Sequence, residues 1–403
     1  MSASVLPLAG IRVVEFVHMV MGPTCGLVLA DLGAEVIKVE PVDGDNTRRL
    51  TGSGAGFFAA FNRNKKSLAI DVTDPAGHAA VLKLVATADI VTENFRPGAM
   101  DRLRLGYADL VRIKPDLIYV SHKGFLAGPY QQRTALDEVV QMMAGLAYMT
   151  GPPGRPLRAG ASVNDIMGGM FGAIGALAAL AERGRTGAGR RIDSGLFENC
   201  VLLMAQHMMQ YAVTGTPAAP MPTRLSAWGI YDVFTPVDGT QLFLGVVSDT
   251  QWRAFCAALG RNDWADDARL ATNPMRVAAR SWLMPLVIAE LQQRTSDQLI
   301  ELATKAGLPW APITRPQDLL HDPHLLESGG LAPMRLPDGK ETVAPLLPLA
   351  WEGERLPKRL DPPKTGEHTA EILASAGLTG VEIEELVARG VAAAPPSTAI
   401  PRR

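Results

Sequence analysis

The first 120 residues switch repeatedly between a two-residue and a helical hydrophobic period, and that alternation limits the folds open to the chain. Five short apolar runs read as strands: Ile11–Phe16, Glu35–Glu40, Lys66–Asp71, Ala88–Glu93 and Asp116–Ser121. Pro23–Leu32 reads as a helix stopped by Gly33, and Asp74-Pro75 opens another with proline at its first helical position. Strands this short and apolar are buried on both faces. The pattern therefore predicts an α/β fold, a mainly parallel sheet with helices on both sides. Ligands of such sheets bind at the carboxyl ends of the strands. Those ends are Phe16-Val17-His18, Glu40-Pro41, Glu93-Asn94-Phe95 and Ser121-His122-Lys123.

Residues 135–149, 165–182 and 195–213 read as further helices. Near residue 225 the texture changes. Gly229–Phe234 and Gln241–Val246 flank Pro236-Val-Asp-Gly239, a hairpin signal, and Ser248 caps a helix from Asp249 to about Leu259. We expect a large domain over 1–224, a smaller α+β domain over 225–330, and a C-terminal segment over 331–403. That segment carries one helix, Val381–Ala388, and ends in a loose stretch, Ala392–Arg403.

The bulk composition mainly excludes. A net charge of -2 argues against a nucleic-acid binder. No charge-free apolar run reaches the ~18 residues of a membrane span; Val163–Leu180 comes nearest, but it includes Asn164-Asp165 and several glycines. The first residues lack a basic segment followed by an apolar one, so no signal peptide is expected. Cys25, Cys200 and Cys256 are few, odd in number and far apart, as reduced core residues of a cytoplasmic protein would be. The seven histidines form no ligand set and there is no Cys-x-x-Cys, so no metal is expected. A Gly-x-Ser-x-Gly elbow is also missing.

Asp165 is the leading chemical candidate. It opens an apolar helical run as an N-cap would, where the helix dipole favours an anion. Gly168 and Gly169 follow and allow close approach of a backbone or ligand. Locally, an ordinary cap and a nucleophile are both open readings. His18 either bonds nearby backbone or faces the ligand crevice. The basic run Asn62–Ser67, together with Arg96 and Arg102 around Pro97-Gly98, suits a phosphate-bearing partner. Gly52–Gly56 follows no strand directly, so it reads as a surface loop rather than a dinucleotide fingerprint.

The order of several segments resembles the class III CoA-transferases of the formyl-CoA transferase and carnitine CoA-transferase type. The matching blocks are Val14-Glu15-Phe16 with Gly22-Pro23, Leu32–Glu40, Asn62–Leu68, Glu93–Gly98, Asp165 with its glycines, Thr186-Gly187 through Asp193, and Pro362-Pro363 with Gly366–Thr369. The resemblance implies a Rossmann-like large domain, completed by the C-terminal segment, and an interlocked homodimer. It implies coenzyme A as part of an acyl-CoA substrate, with no permanently bound cofactor, and a small carboxylic acid as the other partner. CoA would lie along His18, Val20, Met21, Asn64, Lys66, Leu68, Asn94, Phe95 and Arg102. Asp165 would be the nucleophile, passing through a mixed anhydride and an aspartyl-CoA thioester. Backbone N–H groups at the helix start or in the glycine-rich segment would stabilise the developing oxyanions.

Related acyl-CoA racemases use a His directly before an Asp near Asp137. Here that residue is Leu136, which cannot act as a base. Val20 replaces a CoA-contacting Gln of some transferases, and no glycine-rich catalytic loop precedes Tyr231. An oxalate pocket is therefore not expected. Arg133, Arg155 and Arg158 lie before Asp165, and the segment Arg133–Gly172 looks closest to enzymes of four- and five-carbon dicarboxylic acids, of the mesaconyl-CoA or itaconate/succinyl-CoA type. A guanidinium suits the second carboxylate of such substrates. The expected activity is CoA transfer between dicarboxylates; an acyl-CoA racemase or isomerase is the alternative. A non-catalytic CoA-binding protein and a nicotinamide dehydrogenase fit less well, the latter because no strand–Gly-x-Gly-x-x-Gly–helix unit is present.

Overall fold

The computed structural model describes residues 6–224 and 226–395. The Ala392–Arg403 stretch therefore lies partly outside the described residues.

Six parallel strands form the centre: β1 (Arg12–Phe16), β2 (Glu35–Glu40), β3 (Lys65–Ile70), β4 (Ile90–Glu93), β5 (Ile118–Lys123) and β6 (Arg191–Gly195). They lie in the order β3-β2-β1-β4-β5-β6. A two-residue strand, Ala392–Ala393, pairs antiparallel with Ile70 and Ala69 at the β3 edge. This corrects the expectation that the chain is loose from Ala392: the free N–H and C=O groups of an edge strand capture it.

The helices of this region are α1 (Met21–Asp31), α2 (Phe57–Phe61), α3 (Pro75–Val85), α4 (Ala99–Arg102), α5 (Tyr107–Ile113), α6 (Asp137–Met143), α7 (Leu146–Thr150), α8 (Val163–Thr186) and α9 (Leu196–Thr214). Successive strand residues point to opposite faces. Val14, Ile37 and Leu68 pack with α3 and the C-terminal residues Ile372, Leu373 and Leu386. Val13, Val36, Ile90 and Ile118 pack with Leu29 and Ala30 of α1 and with Ala173, Ala176 and Ala179 of α8. Each such aliphatic side chain contributes roughly 1.5–3 kcal/mol on burial, so the sheet must be covered on both sides.

Helix α8 is long and apolar enough to cross a membrane by length and composition alone. Its small residues instead pack into the fold. A Cβ at Gly169 would lie 2.4 Å from the Met21 carbonyl, and one at Gly172 2.2 Å from His122 Cε1. Glycine there lets α8 lie directly on α1 and on β5.

The C-terminal segment is tied to the start of β3. Asn64 Oδ1 accepts from the backbone N–H groups of Arg359 and Leu360, and Arg359 donates to the carbonyls of Ala30 and Ala34. Residues 1–220 with 323–403 form one compact unit and 221–322 another. The second unit has a three-stranded antiparallel sheet of Ile230–Phe234, Leu242–Val246 and Trp310–Pro312. The helices Asp249–Leu259, Arg280–Leu291 and Ser296–Lys305 pack with it around Trp252, Phe255, Leu283 and Leu299. Cys25, Cys200 and Cys256 are all buried and free.

Candidate active site

Strand order reverses between β1 and β4, and in open α/β sheets that switch point is where a crevice opens at the carboxyl edge. His18 and Asn94 stand there. Asn94 Oδ1 accepts from His18 N at 3.0 Å and its Nδ2 donates to His18 O at 2.8 Å. The His18 ring meets Phe95 at 5.4 Å. Burial pushes the His18 pKa below its ordinary value, outweighing the nearby Asp45 charge. The His18 backbone is thus pinned by the Asn94 side chain, and its ring packs against Phe95.

Met19 has φ 63, the left-handed region that costs a non-glycine residue roughly 1 kcal/mol or more. A buried network holds it there. Met19 N donates to Thr47 Oγ1, Thr47 donates to Asp45, Asp45 pairs with Lys38 at 2.8 Å, and Lys38 Nζ donates to Val17 O at 2.6 Å. Alongside lies a cavity of about 460 Å³ at the ends of β1 to β4, lined by Val39–Val42, Ile70–Thr73, Phe95, Met100 and Leu103. Arg96 and Arg102 stand exposed after β4.

Helix α8 carries the chain from the carboxyl end of β5 back to the start of β6, so its N-terminus also lies at the carboxyl edge. Asp165 occupies its third position. Asp165 is not the cap. Asp137 takes that role from α6, its Oδ1 accepting from Asn164 N at 3.0 Å and Asp165 N at 3.2 Å. Asp137 Oδ2 accepts from Gln141 at 2.5 Å and from Arg158 at 3.5 Å, and Gln141 accepts from Ala159 N. The N–H groups of Asn164 and Asp165 are therefore already bonded. Burial and the Asp137 charge push the Asp165 pKa up to about 7, with Arg158 opposing. A carboxylate without donors of its own, beside a second carboxylate, is poorly stabilised and correspondingly nucleophilic.

The turn of α8 that follows Asp165 packs against the β1–α1 corner. Positions equivalent to Cβ of Gly168 and Gly169, one turn below Asp165, lie 2.4 Å from Met21 Cε and from Met21 O. Val20 and Met21 are buried at this corner. The structure thus brings His18, Asn94 and Phe95 together, sets Met21 against the α8 glycines that follow Asp165, and places Arg102 close to Gly98 on the neighbouring loop.

It does not bring Asn64, Lys66 and Leu68 to this place. In a parallel sheet, Lys65 is level with Val36, and Val36 with Val13, at the amino edge. At about 3.3 Å per residue, Lys66 lies some ~15 Å from the carboxyl edge. Asn64 holds the C-terminal segment, Lys66 pairs with Glu35 and Glu371, and Leu68 is core. The neighbouring Arg63 and Lys65 are buried against Asp31 and Glu15. A run of cations in sequence was a misleading phosphate signal because its partners are distant in sequence.

The three arginines separate. Arg158 is beside Asp165 and Asp137. Arg155 is exposed, and Arg133 lies over the rings of Tyr130 and Phe125. Sequence reasoning missed Asp137 and Gln141 as the support of Asp165. Val72 and Thr73, just past the carboxyl end of the third strand, line the cavity there.

Among known proteins, the profile described as CoA-transferase family III matches residues 8–369. The chain is 34% identical to the succinate–glutarate CoA-transferase of Agrobacterium fabrum, over 91% of this chain and 95% of that one. It is 33% identical to the succinyl-CoA–D-citramalate CoA-transferase of Chloroflexus aurantiacus, over 96% and 98%. The crystal structure of a CAIB/BAIF family protein from Brucella suis superposes with a TM-score of 0.82 at 34% identity, covering 92% of this chain and 99% of that one.

Proposed function

The chain belongs to CoA-transferase family III, and from that premise we propose that it moves CoA between four- and five-carbon dicarboxylic acids, with Asp165 as the covalent carrier. The observation that carries this reading is the Asp165 carboxylate itself, desolvated at the crevice edge and raised to about 7. Asp165 attacks the thioester carbonyl, giving a mixed anhydride and CoA thiolate. The thiolate attacks the aspartyl carbonyl, giving an aspartyl-CoA thioester and the free donor acid. The acceptor carboxylate attacks that thioester, releasing thiolate, which then takes the acceptor acyl group and frees Asp165. Each step exchanges one acyl bond for another, so no redox partner is needed.

The apolar cavity at the ends of β2 and β3 suits the adenine of CoA, and Arg96 and Arg102 suit its phosphates. The His18–Met21 corner then leads the pantetheine arm to Asp165. We assign the distal carboxylate of the acyl group to Arg158, which already stands in the field of Asp165 and has donors to spare. The relatives act on succinate, glutarate and citramalate by name, in keeping with this substrate class. Leu136, 62% exposed, offers no base for racemisation. We also propose a homodimer. Met170, Phe171 and Ile174 of α8 and Leu202, Met208, Met209 and Tyr211 of α9 are exposed apolar side chains of the kind a second copy covers.

The test is exchange itself. Succinyl-CoA with labelled glutarate should yield labelled glutaryl-CoA in wild type. At a pH well above the Asp165 pKa, Arg158→Gln should raise the KM for glutarate while leaving the KM for a monocarboxylate acceptor unchanged. Exchange with monocarboxylates alone would overturn the substrate assignment.

A further inference from the structure

The mechanism above assigns no donor to the oxyanion. Asp137 occupies the N–H groups of Asn164 and Asp165, and the glycine N–H groups lie inside the helical ladder of α8. A negative charge developing at a carbonyl in a desolvated site needs a preorganised donor. One side chain near Asp165 has such a donor to give. Asn199, on the first turns of α9, is only 7% exposed, and its Nδ2 is buried without a hydrogen-bond partner. Buried amide donors are almost always paired, so an orphan calls for an explanation. Its direction supplies one: the amide nitrogen lies 2.7 Å from where a Gly168 Cβ would be. Gly168 follows Asp165 by three residues, on the same face of α8, with Cβ positions about 5–6 Å apart. Ser194 holds this turn from the other side by donating to Gly168 O at 2.9 Å. Asn164, 0% exposed, is a second buried amide in the same α8–α9 interface, set against the Cys200 thiol.

We infer that Asn199 is a catalytic residue, its Nδ2 donating to the carbonyl oxygen of the acyl group as Asp165 attacks and again as thiolate returns. Gly168 is glycine because a side chain there would clash with this amide and with the Met21 methyl group. This inference rests on Asp165 carrying the acyl group.

Asn199→Ala and the isosteric Asn199→Asp separate catalysis from packing. Removing an orphaned donor relieves a burial cost, so Asn199→Ala should melt no lower than wild type. Its kcat should nevertheless fall by about 10²–10³-fold, the usual loss of one oxyanion donor, with KM for succinyl-CoA little changed. Asn199→Asp should be slower still, because its carboxylate repels the developing charge. A kcat for Asn199→Ala within threefold of wild type, or an Asn199→Asp variant faster than the alanine one, would overturn the inference. Intact mass separates this from failure of the underlying mechanism. A wild type that forms an Asp165 adduct beside an Asn199→Ala that forms it equally fast removes Asn199 alone. A wild type that forms no adduct removes both.

Discussion

The amino and carboxyl edges of one sheet use the same kinds of side chain for opposite ends. At the amino edge and within the strands, charges are buried in pairs: Lys65 with Glu15 at 2.8 Å and Arg63 with Asp31 at 2.6 Å. Burial pulls the Lys65 pKa down to about 8 against the pull of Glu15. At the carboxyl edge, Arg96 and Arg102 are exposed and Asp165 is raised rather than lowered. Paired charges position the C-terminal segment and α1; charges left unsatisfied are the ones free to meet a ligand. A basic run in sequence does not reveal such pairing.

The comparison breaks hardest at Asp165. Asp165→Ala should lose exchange by about 10³-fold or more while remaining folded, measured as labelled glutaryl-CoA formed from succinyl-CoA. Near-wild-type exchange would remove the carboxyl edge from the chemistry. At the other edge, Glu15→Ala strands Lys65 and should cost roughly 3–5 kcal/mol in denaturant unfolding. Its activity per folded molecule should stay near wild type. If the destabilisation is small, the pair is not the structural element claimed. A smaller effect is expected from Arg96→Ala with Arg102→Ala: a rise of about tenfold in KM for acyl-CoA, steeper at low salt, and a stability change within about 0.5 kcal/mol. Unchanged KM would place the CoA phosphates elsewhere.

The pH dependence sharpens the same contrast. Asp165 must be ionised to attack, so kcat/KM should rise with pH through about 7. Asp137→Asn removes the neighbouring charge but keeps an acceptor for the α8 N–H groups, so the limb should move to lower pH. Arg158→Gln removes the opposing charge, and the limb should move to higher pH. The stability linkage has a definite sign. The unfolded chain releases the Asp165 proton near 3.8 and the folded chain near 7, so this site favours folding at low pH and that contribution is lost as pH rises through 7. Asp165→Asn should remove the loss and melt higher than wild type above pH 7. A variant that melts lower there would contradict the desolvated carboxylate.

Much of this organisation was legible in the chain. The apolar strand runs marked the parallel sheet, and their ends marked His18, Asn94 and Phe95 at the switch point. Asp165 stood out because glycines follow it. What could not be read was pairing at long range. Lys66 meets Glu371 across 305 positions and Asn64 meets Leu360 across 296, and no local pattern records either. Asp137 was hidden for a related reason: it caps a helix that begins 26 residues later, in place of the Ser162 that precedes that helix and makes no cap bond. Ala392–Ala393 carries no strand signal in so short a span, and only the open edge of β3 makes it one.

The central claim is that Asp165 carries the group being transferred. Intact mass after incubation with succinyl-CoA, followed by hydroxylamine, tests it in wild type and Asp165→Ala. The account predicts a hydroxylamine-sensitive adduct in wild type that maps to Asp165 and is missing from the variant. An adduct that persists in Asp165→Ala, or exchange in wild type with no adduct under any acyl-CoA tried, would contradict it.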